Sequence, residues 1–125
     1  MANPNKAKGT RHETEIVNYL NSEGLNVYRP APGGPRDTGD IHGLPLFAIQ
    51  AKNWKNIADA VREGTDGVEK QRANLKVPFG INIVKRPRKG IADAYVVMRM
   101  STFVALLRRF MPQAFKERTD VYEVD

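Results

Sequence analysis

Residues 39–52 read GDIHGLPLFAIQAK, two short apolar segments joined by a Gly-Leu-Pro turn. Their length, apolar content and flanking turn residues predict two β-strands, at about 39–43 and 46–52. Successive side chains of a strand point to opposite faces, so Gln50 and Lys52 share one face. Burying a lysine without a partner is costly, which favours a polar site on this face. The plainer interpretations are a hydrogen-bonded amide at a sheet end and a lysine that extends to solvent.

The predicted hairpin brings an acidic residue to the same face. With residues 43–45 as the turn, Asp40 lies opposite Ala48 and is a diagonal neighbour of Gln50, roughly 7 Å away at Cβ. Two oxygen ligands at that spacing can bracket one hard divalent cation, such as Mg²⁺ or Mn²⁺. Taken alone, Asp40 also fits a turn carboxylate of no further function.

A helix that begins at Thr10 carries a second acidic residue. Thr10 and Glu13 fit a capping box, in which each side chain satisfies a backbone N–H of the other's residue. Glu13 also lies on the helix stripe of Val17 and Leu20, which faces the core, where a carboxylate needs a lysine or a metal as partner. Both interpretations stay open. His12 is expected on the surface and is a weaker candidate for acid–base work.

The pattern along the chain predicts one α/β domain with a mixed sheet of about five strands flanked by helices. Residues 1–9 are expected to form a flexible basic arm, and residues 10–125 are long enough for a core of their own. The predicted elements are a helix from residue 10 to Gly24, strands 26–29, 39–43 and 46–52, a helix 56–76 broken near Gly64 or Gly67, strands 79–84 and 94–100, a helix 101–110 capped by Ser101, and an edge strand 121–124.

Charge favours a polyanionic partner. The 125 residues include 20 Lys+Arg and 14 Asp+Glu, a net charge of +6, which indicates a nucleic acid. The sequence has no cluster of aromatic residues for base stacking, so we expect recognition of shape and phosphate, and no small-molecule substrate. The basic residues expected to contact DNA are Lys8, Arg11, Arg29, Arg36, Lys55 and Arg88.

Several classes of protein are excluded or disfavoured. The absence of cysteine excludes disulfides, thiolate zinc sites and cysteine nucleophiles. No apolar run approaches the ~20 residues of a membrane span. The start of the chain, MANPNKAKGTRHE, lacks the apolar core of a signal peptide. We therefore expect an intracellular, cytoplasmic protein with no membrane partner.

These residues resemble the PD-(D/E)XK nuclease superfamily, and more narrowly the archaeal-type Holliday-junction resolvases, which also occur in phages. The segment KGTRHETEIVNYLNSEGLNVYRPAPGG is similar to that family's opening, and the resemblance covers about residues 8–55. It implies a restriction-endonuclease-like core and a metal-dependent DNA endonuclease that resolves four-way junctions. The motif Asp maps to Asp40, the (D/E)XK tripeptide to Gln50-Ala51-Lys52, and the N-terminal catalytic Glu to Glu13.

The resemblance also implies a division of roles. Asp40, Gln50, the Ala51 backbone carbonyl and Glu13 would hold Mg²⁺ or Mn²⁺, which activates a bound water. Lys52 would stabilise the attacking hydroxide or the pentavalent phosphorus as a point charge. Two symmetric cuts suit a homodimer. The apolar residues of the last helix, Phe103, Leu106, Leu107 and Phe110, are candidates for its interface, although core packing fits the same stripe.

Two positions depart from the family's pattern. Gln50 stands where Glu or Asp is usual, and because it carries no charge it predicts weaker metal binding. The loop before Asp40 lacks the family's serine, and Thr38 is the hydroxyl residue of this loop. Two other functions stay open: a nicking or restriction-type nuclease acting on linear duplex DNA, and a non-catalytic nucleic-acid-binding module with a decayed site.

Overall fold

The computed structural model describes residues 3–32, 34 and 36–116, and within them helices flank a three-stranded mixed sheet. The elements are α1 (Pro4–Ser22), β1 (Phe47–Lys52), α2 (Ile57–Leu75), β2 (Phe79–Val84), β3 (Tyr95–Val97) and α3 (Met100–Phe110), with 3₁₀ turns at Ile91–Asp93 and Pro112–Ala114. The prediction of an α/β chain with a mixed sheet and flanking helices is confirmed. None of the described helices is both long and apolar enough to cross a membrane.

The sheet is built around a βαβ unit. β1 and β2 are parallel and in register from Phe47↔Phe79 to Lys52↔Val84, and α2 forms the crossover that parallel strands require. β3 pairs antiparallel with the other side of β2, which gives the order β1-β2-β3. The carboxyl ends of β1 and β2 therefore lie side by side, and the Lys85 N–H donates to the Lys52 carbonyl across them at 2.9 Å.

The two faces of the sheet differ in polarity. One face packs its apolar residues, including Ile49 and Ile83, against Ile16 of α1. The opposite face carries Gln50 and Asn82 toward α2, where the fully buried Asn82 amide donates to the Ala60 carbonyl at 3.0 Å. One polar side chain from each of β1 and β2, Gln50 and Asn82, is thus enclosed between the sheet and α2.

Two of the predicted strands shrink to single bridges. Segments 26–29 and 39–43 contribute only the isolated pairs Tyr28↔His42 and Ile41↔Ile49. The N–H groups of Asp40 and Ile41 both donate to the Ile49 carbonyl, at 2.8 and 3.4 Å, which interrupts a regular ladder. The predicted strand 94–100 is reduced to Tyr95–Val97. The predicted edge strand 121–124 lies outside the described residues.

The hairpin register differs from the prediction by two residues. Ile41 pairs with Ile49, whereas the prediction placed Asp40 opposite Ala48. The turn is longer than expected because Leu46, with a φ of 73°, does not join the antiparallel pairing. A shift of two leaves each side chain on its predicted face, since strand side chains alternate with a period of two.

The start of α1 corrects two predictions. The helix begins at Pro4, and the Asn3 side chain caps it by accepting from the Asn5 N–H at 3.0 Å. Proline is well suited to the first helical position because its missing N–H would have no partner there. Residues 4–9 are therefore helical rather than a flexible arm. Thr10 is not the N-cap, so the capping-box interpretation of Glu13 is wrong.

The other helix ends also differ from expectation. α2 runs without a break through Gly64 and Gly67, and Asn56 caps it by accepting from the Asp59 N–H at 3.0 Å. α3 begins at Met100, so Ser101 lies inside its first turn and is not the cap. On α3, Phe103 and Phe110 are 47% and 59% exposed, and so neither is a core residue in the described part of the chain.

Candidate active site

Asp40 is fixed by the backbone of β1. Its Oδ2 accepts a hydrogen bond from the Ala51 N–H at 2.9 Å. Successive residues of a strand direct their backbone N–H and carbonyl groups to opposite edges of the strand. The Lys52 carbonyl accepts a hydrogen bond on the β2 side, so the Ala51 N–H and carbonyl both point to the other edge, where Asp40 lies. The Gln50-Ala51-Lys52 tripeptide thus offers a backbone carbonyl on the same edge as the carboxylate.

The path of the chain into Asp40 depends on a glycine. Gly39 has a φ of +100°, and a Cβ there would lie 2.8 Å from the Ile49 carbonyl oxygen. Only glycine combines that backbone conformation with such a close approach to β1. The Gly39-Asp40 pair therefore presses the carboxylate against the strand edge.

The surroundings of Asp40 favour a bound cation. Burial raises the pKa of Asp40 above its ordinary value, the Ala51 N–H opposes this shift, and the neighbouring Glu13 carboxylate raises the pKa further. Desolvation and a like charge both disfavour the ionised form. A cation placed between the two carboxylates would relieve both penalties.

Glu13 reaches the site from α1. Its side chain is 21% exposed, and its Oε1 accepts from Arg29 Nε at 3.0 Å in an ion pair. Glu13 occupies the same helix stripe as the partly buried Val17 and Leu20, as the periodicity predicts. The carboxylate therefore lies at the margin of the core, shared between an arginine and the site.

Gln50 belongs to a buried amide network that the sequence interpretation missed. Gln50 and Gln71 are 8% and 4% exposed, and Gln71 Nε2 donates to Gln50 Oε1. The same Nε2 donates to Asp37 Oδ2 at 2.9 Å. One signal was visible in the sequence: Gln71 occupies an apolar-stripe position of α2, three residues after Val68 and four before Leu75.

Lys52 lies over an aromatic ring at the end of β1. Its Nζ is 4.4 Å from the centroid of the Trp54 ring, within range of a cation–π interaction. Lys52 is half-buried and Trp54 is at the boundary of exposure, so neither serves as a core residue. This contact limits the positions that the Lys52 ammonium group can adopt.

Two clefts meet at the acidic residues. The first has a volume of about 590 Å³ and the second about 520 Å³, and Glu13 and Asp40 line both. The first is also lined by Asn5, Lys8, Gly9, Gln50, Ala51, Lys52, Asn53, Trp54 and Lys55. The second is also lined by Lys6, Arg29, Pro30, Ala31, Pro32, Gly34, Arg36, Asp37, Thr38 and Gly39. All four predicted site side chains thus border one concave surface.

The predicted DNA-contacting residues divide into two groups. Lys8 and Lys55 line the first cleft, and Arg29 and Arg36 line the second, so four of them surround the acidic residues. Arg11 and Arg88 are exposed but line neither of these clefts. The loop of Arg88 nonetheless starts beside Lys52, because Lys85 follows β2 directly.

His12 is a packing residue. It is 1% exposed, whereas a surface position was expected, and its Nε2 donates to the Ile83 carbonyl at 3.1 Å. Because α1 starts at Pro4, His12 lies within the helix and faces the sheet. Burial lowers the pKa of His12, which keeps the ring neutral. Acid–base work on a substrate is therefore not its role.

The donor set of the first cleft fits a hard cation. Asp40, Glu13, the Gln50 amide and the Ala51 carbonyl offer oxygen atoms alone, the ligands that Mg²⁺ and Mn²⁺ prefer. Among residues 3–32, 34 and 36–116, no group of three His, Cys, Asp or Glu is placed to hold a metal. Neutral oxygens would therefore complete the ligand set, which predicts modest affinity.

Comparison of the chain with protein-family models, with curated proteins and with solved structures found no match. The geometry of the clefts and the residues that line them thus carry the functional argument.

Proposed function

We propose that this chain is a metal-dependent, structure-selective DNA endonuclease of the PD-(D/E)XK type, with a restriction-endonuclease-like core. Its preferred substrate would be an intracellular four-way DNA junction, and its cofactor Mg²⁺ or Mn²⁺. One observation carries the proposal: Asp40, anchored on the Ala51 N–H, lines a cleft with Glu13, Gln50 and Lys52.

The residues of the cleft would divide the chemistry among them. Asp40, Glu13, Gln50 and the Ala51 carbonyl would hold the cation. Once bound, a divalent cation supplies a polarised phosphate and a water of lowered pKa. The Lys52 ammonium, held near Trp54, would stabilise the negative charge that develops on the phosphate oxygens during hydrolysis.

Positive charge around the acidic residues supports DNA as the partner. Lys8 and Lys55 on one side and Arg29 and Arg36 on the other would hold the backbone of a strand that crosses between the clefts. Contacts of this kind position a duplex without reading its sequence. Recognition by shape is what a junction-specific enzyme requires.

A four-way junction needs two symmetric cuts, so the proposal includes a two-fold homodimer. We assign its interface to the exposed side of α3, which carries Phe103 and Phe110. Sedimentation velocity tests this: the wild type should sediment as a dimer and Phe103→Asp as a monomer. A monomeric wild type at micromolar concentration would exclude this arrangement.

Cleavage of matched substrates tests the activity. A labelled four-way junction and a linear duplex of the same arm sequence are each incubated with Mg²⁺, Mn²⁺ or EDTA. We expect paired, symmetric nicks in the junction that depend on metal, and an intact linear duplex. Equal or preferential cutting of the linear duplex would instead support a nicking or restriction-type nuclease.

A second candidate, a catalytically impaired DNA-binding module, is favoured by one observation. The first cleft contains two carboxylates, and the oxygen of Gln50 already accepts a hydrogen bond from Gln71. If both substrates are bound but neither is cut in any metal, this candidate replaces the nuclease.

A further inference from the structure

The buried amide of Gln71 joins two segments of the site. From α2, its Nε2 donates one hydrogen bond to Gln50 Oε1 and another to Asp37 Oδ2, the latter at 2.9 Å. A side-chain amide nitrogen carries two hydrogens, so the two acceptors use both. Gln50 and Asp37 are 21 and 34 residues from Gln71 in sequence, and the amide links them directly.

Asp37 dictates which way the Gln71 amide faces. An ionised carboxylate only accepts hydrogen bonds, so Gln71 must present its NH₂ group rather than its oxygen. Its Oε1 is then left buried without a hydrogen-bond partner in the described part of the chain. Leaving a buried acceptor unsatisfied is unfavourable, so the orientation must be held by the two bonds on the nitrogen.

The orientation of Gln71 in turn fixes the end of Gln50 that is presented. If the Gln50 amide flipped, its NH₂ would face the NH₂ of Gln71, two donors without an acceptor between them. The Gln50 oxygen is therefore held in a fixed place. A carbonyl oxygen has two lone pairs, and the one not used by Gln71 is available to a cation.

α2 also holds the segment that leads to Asp40. Asn74 Nδ2 donates to the Asp37 carbonyl at 2.8 Å, one turn along the helix from Gln71. Asp37 Oδ1 accepts from the Gly39 N–H at 3.2 Å, immediately before Asp40. α2 thus bonds both the backbone of Asp37, through Asn74, and its side chain, through Gln71.

We propose that Gln71 is a positioning residue for the metal site, which orients the Gln50 amide so that its oxygen, and not its nitrogen, is offered to the cation. The inference rests on the proposed metal-dependent function. It explains how glutamine can act as a metal ligand at a position where an acid is expected. A carboxylate has two equivalent oxygens, so either can bind the cation without an orienting partner. An amide has one oxygen and one nitrogen, so it needs a partner that turns the oxygen toward the cation.

A double-mutant cycle on metal affinity tests this. Mn²⁺ binding is measured by electron paramagnetic resonance, without DNA, for the wild type, Gln71→Leu, Gln50→Glu and the double variant. Loss of a group that orients a ligand typically weakens metal binding about 10–100-fold, which we expect for Gln71→Leu. In the Gln50→Glu background the same substitution should cost less than about threefold, since either carboxylate oxygen can bind.

Asn21→Ala is the matched control. Asn21 tethers Val27 to α1 by two amide hydrogen bonds of 3.0 and 2.8 Å and lines neither cleft. Its loss should lower the melting temperature without changing Mn²⁺ affinity. Equal losses from Gln71→Leu in both backgrounds, or no loss in either, would overturn the positioning role. A wild type that neither binds Mn²⁺ nor cuts DNA would instead refute the proposed function.

Discussion

Asp40 Oδ2 lies 2.9 Å from the Ala51 nitrogen, so the strand that carries the Gln50-Ala51-Lys52 tripeptide also anchors the acidic residue. The bond uses one carboxylate oxygen and opposes the rise in pKa that burial causes. It joins the start of the 40–52 segment to its end, and so it holds the Asp40 carboxylate beside the tripeptide.

Asp40→Asn should abolish activity and stabilise the metal-free protein. Asparagine keeps an acceptor for the Ala51 N–H but removes the charge, and we expect cleavage to fall by at least about 100-fold. Burial raises the folded-state pKa of Asp40 above its ordinary value of 3.8, so the ionised side chain destabilises the fold at neutral pH. The variant should therefore melt at a higher temperature at pH 7.

The pH dependence provides the check. Well below pH 3.8 the wild-type carboxyl is protonated in both folded and unfolded states, so the advantage of Asp40→Asn should disappear there. Asp66→Asn, which removes an exposed acid from α2, should show no such rise at pH 7. A lower melting temperature for Asp40→Asn at pH 7 would contradict the assigned burial.

Lys52→Ala should slow cleavage of saturating DNA by about 10²–10³-fold, as expected for loss of one group that stabilises developing charge. The effect should appear in the single-turnover rate rather than in DNA affinity. Lys70→Ala removes an exposed lysine of α2 that lines neither cleft and should leave that rate unchanged. Equal rates for the two variants would remove Lys52 from the mechanism.

Arg29→Gln should strengthen metal binding modestly. Arg29 shares the Glu13 carboxylate through an ion pair whose arginine is 41% exposed, and such pairs contribute at most about 1 kcal/mol, or roughly fivefold. Releasing Glu13 should therefore lower the Mn²⁺ concentration for half-maximal cleavage by up to about fivefold. Arg36→Gln removes a positive charge from the same cleft but leaves the Arg29–Glu13 ion pair intact. If this variant showed an equal fall in the required Mn²⁺ concentration, the effect would be due to net charge alone.

Local periodicity accounts for what the sequence predicts well. Alternation along β1 places Gln50 and Lys52 on one face whatever the register, and the helix stripe places Glu13 beside Val17 and Leu20. These relations depend on neighbours in sequence. They survive the two-residue shift of the hairpin because that shift preserves the faces.

Local periodicity does not predict contacts between distant segments or unusual backbone conformations at single residues. Leu46 adopts a positive φ that its type does not indicate, and this lengthens the turn. The hydrogen bonds of Gln71 to Gln50 and Asp37 join three segments that are far apart in sequence. A single sequence does not indicate which distant residues are in contact. The Asn3-Pro4 start of α1 was visible, but the basic composition of residues 1–9 favoured a flexible arm.

The two glycines of α2 should respond in opposite directions to alanine. A Cβ at Gly64 would overlap the fully buried Asn82 amide, whereas a Cβ at Gly67 would meet nothing within 4 Å. Overpacking a core site costs about 1–3 kcal/mol. Replacing a helical glycine with alanine where the Cβ has free space gains about 0.5–1 kcal/mol. Urea unfolding should therefore show Gly64→Ala destabilised and Gly67→Ala stabilised. If both substitutions stabilised the protein, α2 would not pack on β2 through Asn82. Because the same packing of α2 on the sheet places Gln71 against Gln50, that result would also contradict the Gln71–Gln50 contact.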